Sequence, residues 1–269
     1  MITVAITTFN RCAIVGRAVR MALRFCAVVQ GTVVVVDDAS TDETEALIAR
    51  EFQSSLSDGT LSYFRHKANL GVTAAKNFAF LQSPAGWVLF LDSDDELIEE
   101  SAPEVARVLA NQQVKPLVFF RCVDQTGAFV GRRFTEPQRL SLQRYASHTS
   151  YGEALVAINK AVSPDAPFDP DLRGYEGLGC ARLIHRFGPA LLSTTIARRY
   201  DRTGNDRLSG FAGTVKRAGL LARGHLRYLS LYKSNIRLST RFSLRIKALV
   251  YNLLGFLGST LWFRDGKNR

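Results

Sequence analysis

The chain has 269 residues, of which 46% are hydrophobic, and a formal net charge of +11. This length and composition exclude a disordered chain and suffice for one large domain, alone or with an appendage. The four cysteines are widely scattered without paired metal spacing, so reduced thiols in the cytoplasm are favoured over a zinc site. Residues 1–6 have a strand pattern without a basic leader, and we therefore expect no signal peptide.

Strand and helix patterns alternate through the first hundred residues. Strands are predicted at 2–7, 32–37, 60–65 and 87–91, and helices at 12–26, 42–52 and 72–82. Such alternation is typical of β-α-β units, in which helices cover both faces of a sheet. The sequence therefore predicts an α/β fold, Rossmann-like, with a mostly parallel sheet.

Two of the predicted strands end in acidic clusters. These are Asp37-Asp38 and Asp92-Ser93-Asp94-Asp95. Crowded carboxylates repel one another, and their hard oxygens are the ligands that Mg²⁺ or Mn²⁺ prefers, with water and phosphates completing the shell. Alternatively, Asp94 and Asp95 cap a helix suggested by residues 96–100. Because ligands of parallel sheets bind at the carboxyl ends of the strands, we expect both clusters to face one nucleotide or phosphate substrate.

The pattern loosens after residue 100. A helix at 101–112, a strand at 116–121, a helix at 176–187 and a strand at 193–196 are predicted, whereas 124–170 is rich in turn residues. Such a region suits an acceptor-binding half with mobile loops. We therefore expect one domain over 1–210, with a regularly patterned first half, 1–100, and a more irregular second half, 101–210.

The positive charge belongs to the end of the chain. Residues 198–269 contain 16 Lys or Arg and three acidic residues, a net charge of +13, whereas residues 1–197 carry −2. Basic residues recur every four positions from Lys233 to Arg245, and apolar residues follow at helical spacing from Ile246 to Leu257. A basic helix with an apolar face is typical of attachment to an anionic membrane surface. The apolar stretch 248–263 is shorter than the roughly 20 residues that a bilayer requires, so residues 211–269 are expected to lie on the membrane rather than cross it. A helix that closes the domain's own core is the alternative, and the two roles are compatible.

Four segments resemble, in order and spacing, the signatures of family 2 glycosyltransferases with the GT-A fold. They are Thr7-Thr8-Phe9-Asn10, Val36-Asp37-Asp38-Ala39-Ser40-Thr41-Asp42, Asn69-Leu70-Gly71-Val72-Thr73-Ala74-Ala75-Lys76-Asn77 and Leu91-Asp92-Ser93-Asp94-Asp95. The similarity covers residues 1–100 well and continues more weakly through residues 168–176. It implies a glycosyltransferase domain over 1–210, with a nucleotide-sugar-binding half, 1–100, and an acceptor-binding half, 101–210. Beyond about residue 210, nothing specific to the family is recognised.

The resemblance implies a role for each matching residue in donor binding. Thr7 and Phe9 would hold the base and ribose, and Asp38, with Asp37 as its alternate, would accept a hydrogen bond from the uracil imide. The segment that closes over the nucleotide-sugar corresponds to Asn69, Gly71, Lys76 and Asn77. Lys76 stands where many relatives have Arg, and either supplies positive charge near a diphosphate. Asp92 and Asp94 match the DxD pair that binds Mn²⁺ or Mg²⁺ at the diphosphate, the first also reaching the ribose or the metal-bound water.

An inverting transfer also needs a base that deprotonates the acceptor hydroxyl. In the family this base is usually the Asp of a Glu-Asp pair, but here the pair reads Glu176-Gly177. Glu176 is therefore the first candidate, with Asp171 and Asp169 behind it; its alternative role is a carboxylate at a helix start. Residues 198–209 resemble the family's late loop, so Arg202 and Arg207 are candidate phosphate contacts, with an ordinary solvated loop as the alternative. No His ligand is expected.

Other functions fit the sequence less well. A nicotinamide-dependent dehydrogenase would have a Gly-x-Gly-x-x-Gly turn after the first strand, and a phosphoacceptor receiver would be much shorter. A nucleic-acid-binding module would explain the basic tail but not the acidic clusters, so no nucleic acid partner is expected. A catalytically silent sugar-nucleotide-binding scaffold remains a rival, supported by the missing Asp.

We therefore expect an inverting, metal-dependent glycosyltransferase that transfers a sugar from a UDP-sugar to a glycan or lipid-linked acceptor. Its expected context is cell-surface polysaccharide or lipopolysaccharide synthesis. Its expected location is cytoplasmic, peripheral on the inner face of the cell membrane.

Overall fold

The computed structural model describes residues 1–147, 152–201 and 211–265. Its strands are β1 (Ile2–Thr8), β2 (Thr32–Asp37), β3 (Leu61–Arg65), β4 (Trp87–Asp92), β5 (Glu96–Leu97), β6 (Leu117–Val123), β7 (Gln138–Leu140), β8 (Ala154–Asn159) and β9 (Ala190–Arg199). Its helices are α1 (Cys12–Val29), α2 (Thr44–Glu51), α3 (Gln53–Ser57), α4 (Val72–Gln82), α5 (Ala102–Ala110), α6 (Leu142–Ala146), α7 (Gly177–Phe187), α8 (Phe211–Lys216), α9 (Ala218–Tyr232) and α10 (Leu238–Asp265). The predicted α/β class is confirmed.

The strands form one mixed sheet with the order β3-β2-β1-β4-β8-β6-β9-β5, and β7 pairs with β9. Its first four strands are parallel, as predicted. The second part of the sheet departs from a mostly parallel arrangement because β8 lies antiparallel between β4 and β6. The acidic run 96–100 forms the short strand β5 and a single 3₁₀ turn rather than the helix considered above.

Helices cover both faces of the sheet because the strand residues alternate between two hydrophobic cores. On β2, Val33 and Val35 pack with α1, whereas Val34 and Val36 pack with α4. Period-two alternation of apolar side chains on both faces is expected for strands buried between helical layers. Because β1 pairs in parallel with both β2 and β4, the carboxyl ends of these three strands lie together at one edge of the sheet.

The C-terminal helices pack onto the α/β domain. Tyr228, Tyr232 and Leu244 belong to the same buried cluster as α4 and α7. Gln143, at the start of α6, donates to Thr240 Oγ1 at 2.8 Å and accepts from the Arg237 amide at 2.6 Å. The tail therefore closes the domain's own core, which is the alternative role considered from the sequence. In the part of the chain that the structure describes, no helix has the length and apolar character needed to cross a bilayer.

Candidate active site

A cleft of about 760 Å³ opens at the carboxyl ends of the parallel strands. It brings together most of the residues predicted from the sequence, namely Thr7, Phe9, Asp38, Asn69, Gly71, Lys76, Asp92, Asp94 and Glu176. Asp37, Asn77 and Asp171 are not among the described residues that line it. Arg202 and Arg207 lie outside the described residues.

The loops after β1 and β2 are joined by hydrogen bonds. The Asn10 amide donates to Ser40 Oγ at 2.8 Å, and the Thr41 amide donates to Asn10 Oδ1 at 2.7 Å. Asp42 accepts from the first amide of α1, at Cys12, at 2.9 Å and from Thr44 Oγ1 at 2.6 Å. These bonds fix the mouth of the cleft at Phe9, whose ring is 42% exposed and free to stack on a planar ligand.

The two adjacent carboxylates after β2 have different surroundings. Asp37 is fully buried and accepts hydrogen bonds from the Ser40 amide at 2.8 Å and the Tyr63 hydroxyl at 2.7 Å. Asp38 faces the cleft, where its oxygens accept from the amides of Leu70 at 2.9 Å and Gly71 at 2.6 Å. Asp37 is thus placed to stabilise the loop, whereas Asp38 lines the cleft with a side chain that is 4% exposed.

Gly71 is required by the shape of the segment that Asp38 holds. Its φ is +93°, a conformation that L side chains rarely adopt, and an added Cβ would lie 2.6 Å from Arg173 Nε. Arg173 also donates to the Asn69 carbonyl at 3.2 Å. The segment predicted to close over the nucleotide-sugar is therefore held from both sides of the cleft.

Each carboxylate of the Asp92–Asp95 cluster has a basic partner. Lys76 Nζ lies 3.0 Å from Asp92 Oδ1, Arg11 Nη1 lies 3.0 Å from Asp94 Oδ2, and Arg198 Nη1 lies 3.1 Å from Asp95 Oδ2. These pairs offset the mutual repulsion of the carboxylates, so charge balance alone does not require a metal ion.

Burial and charge act against each other at this cluster. Desolvation opposes ionisation of Asp92, but the positive charges of Lys76 and Arg198 outweigh it and lower the pKa of its carboxyl. At Asp95 burial prevails over Arg198 and raises the pKa to about 7. The carboxylate that faces the cleft is thus held ionised, as a metal ligand must be.

The residues present fit a hydrated divalent cation. Asp92 and Asp94 supply hard oxygens at the cleft, with side chains 41% and 20% exposed, whereas Asp95 is buried. Within the described residues, no group of three or more His, Cys, Asp or Glu side chains is placed to enclose a metal. This donor set suits Mg²⁺ or Mn²⁺, which is typically held by one or two carboxylates together with water and phosphate oxygens.

The Glu176 side chain faces the cleft rather than its own helix. It immediately precedes α7, yet within the described residues its side chain makes no capping hydrogen bond to that helix. Instead its carboxylate lines the cleft, with Oε1 3.3 Å from Lys76 Nζ. A Cβ added at Gly177 would lie 3.5 Å from the Tyr145 hydroxyl, an ordinary van der Waals contact.

The other two candidate bases are engaged in ion pairs away from the cleft. Asp171 accepts two hydrogen bonds from Arg227, at 3.0 and 2.7 Å. Asp169 pairs with Arg182, and Arg227 Nη1 lies 3.7 Å from it. Both carboxylates thus connect the segment before α7 to neighbouring helices, and neither is placed to take a proton from a substrate in the cleft.

Asn77 joins α4 to the chain segment that carries these carboxylates. Its side-chain amide donates to the Phe168 carbonyl at 2.8 Å and accepts from the Phe168 amide at 3.0 Å. We expect it to hold the two sides of the cleft together rather than to contact the donor.

Several cleft residues were not identified from the sequence. They are Arg11, Glu153, Arg173, Tyr200 and Arg217. Arg11 directly follows the Thr7–Asn10 signature, and this position could have indicated it. Arg217 lies between α8 and α9 and donates to the Gly174 carbonyl at 3.1 Å, a contact that no local pattern predicts.

Comparisons with known proteins agree with this geometry. Residues 3–154 match the model of the family described as Glycosyl transferase family 2. No curated protein matches the chain in sequence. Among solved structures, S. aureus TarS 1-349 in complex with UDP-GlcNAc is similar at a TM-score of 0.66 and 15% identity, over 93% of this chain and 72% of that one. The mannosyltransferase PcManGT from Pyrobaculum calidifontis, in complex with GDP-Man and Mn²⁺, is similar at 0.64 and 16%, over 99% and 79%. At these identities, the structural likeness supports the fold alone.

Proposed function

The chain belongs to glycosyl transferase family 2, and on that premise we propose that it is an inverting, metal-dependent enzyme that uses a UDP-sugar. The observation that carries the proposal is a single cleft lined by Asp38, Asp92, Asp94, Lys76 and Glu176. The cleft combines a carboxylate for the nucleobase, oxygen ligands for a cation, a positive charge for the diphosphate, and a carboxylate that is the candidate general base for the acceptor. Asp38 would accept a hydrogen bond from the imide N–H of uracil, which is the role that the family resemblance implies for it.

The chain's own residues supply the remaining steps of the transfer. Phe9 stacks on the nucleotide, and Lys76 pairs with the diphosphate. Glu176 takes the proton of the acceptor hydroxyl while that oxygen attacks the anomeric carbon opposite the leaving group. The bond from the anomeric carbon to the diphosphate breaks, and the nucleoside diphosphate departs with the bonding pair. Mn²⁺ or Mg²⁺ held by Asp92 and Asp94 would neutralise charge developing on that leaving group.

We further propose that the enzyme works at an anionic membrane surface, on the cytoplasmic face. The outward side of α10 carries Phe242, Ile246, Leu249, Leu253 and Phe256, each between 45% and 66% exposed. Their spacing of three and four residues forms one stripe, here called the α10 stripe. Arg237 and Arg245, just before α10 and within it, are exposed, and no acidic residue occurs between Arg207 and Arg264. Such a surface favours a glycan or lipid-linked acceptor of cell-surface polysaccharide or lipopolysaccharide synthesis.

A direct experiment tests the enzymatic proposal. The purified full-length chain is incubated with Mn²⁺, a panel of UDP-sugars and GDP-sugars, and a lipid-linked glycan extract, and released nucleoside diphosphate and transferred sugar are both measured. We expect release and transfer with a UDP-sugar, and both about 10²- to 10⁴-fold slower with Glu176→Gln. Binding of a UDP-sugar without turnover for any acceptor would instead support the silent scaffold. Absence of nucleotide-sugar binding would contradict both.

A further inference from the structure

A buried arginine lies directly beneath the Asp92–Asp95 cluster. Arg198 is near the end of β9, its side chain is 4% exposed, and it does not line the cleft within the described residues. Its Nε donates to Cys122 Sγ of the neighbouring strand β6 at 3.2 Å. A fully buried guanidinium is costly unless carboxylates surround it, so its partners indicate why it is there.

The partners of Arg198 are carboxylates that belong to the cleft or to its floor. Nη1 lies 3.1 Å from Asp95 Oδ2 and 4.0 Å from Asp92 Oδ2, while Nη2 lies 3.6 Å from Glu153 Oε2. Asp92 and Glu153 both line the cleft, and each is nearest to a different terminal nitrogen of Arg198. One guanidinium therefore connects two cleft carboxylates through the interior.

Asp95 extends this connection along the chain. The Asp95 amide donates to the Asp92 carbonyl at 3.0 Å, which closes the turn that carries Asp94. Its Oδ1 accepts from the Asp201 amide at 2.9 Å. The turn is thus held to β9 by Arg198 and to residue 201 by Asp95, and removing the guanidinium would leave adjacent carboxylates to repel one another.

We propose that Arg198 is a positioning residue of the donor site, which holds Asp92 and the Asp92–Asp95 turn in the orientation that binds the cation and the diphosphate together. The inference rests on the proposed function of the cleft and names a residue that acts from beneath it. Arg198 touches neither substrate nor metal; it acts through Asp92 and Asp95.

A matched pair of variants separates positioning from stability. Arg121, on the adjacent strand β6, is also fully buried, and its guanidinium donates to the carbonyls of Val130 and Arg132. Arg198→Lys and Arg121→Lys both keep one positive charge, and both lose the planar guanidinium with its several hydrogen-bond donors. For each, the melting temperature, the affinity for Mn²⁺ by EPR in the presence of UDP, and the affinity for UDP by calorimetry are measured.

We expect both variants to lose thermal stability but only Arg198→Lys to lose ligand affinity. Its affinity for Mn²⁺ with UDP should fall about 10- to 100-fold, the usual cost of removing a group that orients a metal ligand, while Arg121→Lys stays within about twofold of the wild type. Equal affinities of the two variants would overturn the proposal. If Arg198→Lys does not fold, Asp95→Asn replaces it, and unchanged affinity in that variant overturns the proposal too. If the wild type itself shows no UDP-dependent Mn²⁺ binding, the proposed function of the cleft fails first.

Discussion

Lys76 and Glu176, one hundred residues apart in sequence, form an ion pair in the cleft with 3.3 Å between Nζ and Oε1. The same ammonium lies 3.0 Å from Asp92. Burial opposes its charge, but the two carboxylates prevail and raise the pKa of Lys76, so it stays protonated at any working pH. The Lys76 ammonium therefore pairs both with Asp92, a proposed metal ligand, and with Glu176, the proposed general base.

Replacing Lys76 should weaken donor binding. Lys76→Met removes the charge and leaves Asp92 and Glu176 facing an incoming diphosphate, so UDP affinity should fall about 10- to 100-fold, as expected for a lost hydrogen bond to a charged group. Lys76→Arg should keep most of the UDP affinity, because the guanidinium carries the same positive charge. Calorimetric titration with UDP and Mn²⁺ measures both; equal affinity of Lys76→Met and the wild type would remove Lys76 from the donor site.

Glu176→Gln should abolish proton transfer while leaving donor binding intact. We expect turnover to fall about 10²- to 10⁴-fold, the range for a positioned acid–base group, with an unchanged dissociation constant for UDP. Adding Gly177→Asp to this variant places a carboxylate at the position where the family resemblance leads us to expect one. Recovery of turnover in the double variant would show that the site accepts a base from either position, whereas a loss of UDP affinity in Glu176→Gln would assign Glu176 to the donor.

Asp171→Asn should affect stability rather than catalysis. Its hydrogen bonds from Arg227 lower the pKa of Asp171, so the pair stabilises the fold above the ordinary carboxyl pKa of about 4, and this contribution disappears as the pH falls through the lowered value. Because the pair is exposed, the variant should lose only about 0.5 kcal/mol of unfolding free energy at pH 7 and less below pH 4. Urea unfolding at both pH values measures this; a large loss of turnover would instead return Asp171 to the list of candidate bases.

Asp94→Asn should weaken the binding of the cation. Its carboxylate oxygen is replaced by a neutral amide, so Mn²⁺ affinity in the presence of UDP and turnover should both fall, while the melting temperature changes little because the side chain lies at the cleft. Full activity of the wild type in excess EDTA would contradict metal dependence altogether. A nearly unchanged Mn²⁺ affinity in Asp94→Asn would leave Asp92 as the remaining ligand.

The α10 stripe should bind anionic vesicles. Deleting residues 211–269 is a poor test because Tyr228, Tyr232 and Leu244 belong to the core. The triple variant Leu249→Gln, Leu253→Gln and Phe256→Gln changes only exposed side chains and should reduce co-sedimentation with phosphatidylglycerol vesicles at low salt by at least about tenfold. The control replaces Val28, Leu81 and Val114, which are exposed elsewhere, by Gln. If both triple variants sediment like the wild type, the stripe does not bind membranes.

Strong local sequence patterns predicted strands and helices well within residues 1–100. The bounds of β2 and α4 agree with the predicted ranges, because a β-branched run and a helical segment are both readable over a few residues. The difference between Asp37 and Asp38 was also present in the sequence: Asp37 continues the alternation of Val33 and Val35 toward the α1 core. The contacts that could not be predicted join residues far apart in sequence. Examples are Arg198, which lies beneath the Asp92–Asp95 turn, and Arg217, which lines the cleft.

The antiparallel insertion of β8 has a consequence for how the chain is made. One edge of β4 pairs with β1. The other edge pairs with β8, which begins 62 residues after β4 ends and is therefore synthesised later. At synthesis rates of 5–20 residues per second, that edge stays unpaired for about 3–12 s on the ribosome. The apolar Trp87–Phe90 edge is exposed to other nascent strands during this interval. Pairing of this edge therefore depends on residues beyond 100, and protection of the edge by a chaperone would favour the yield of native protein.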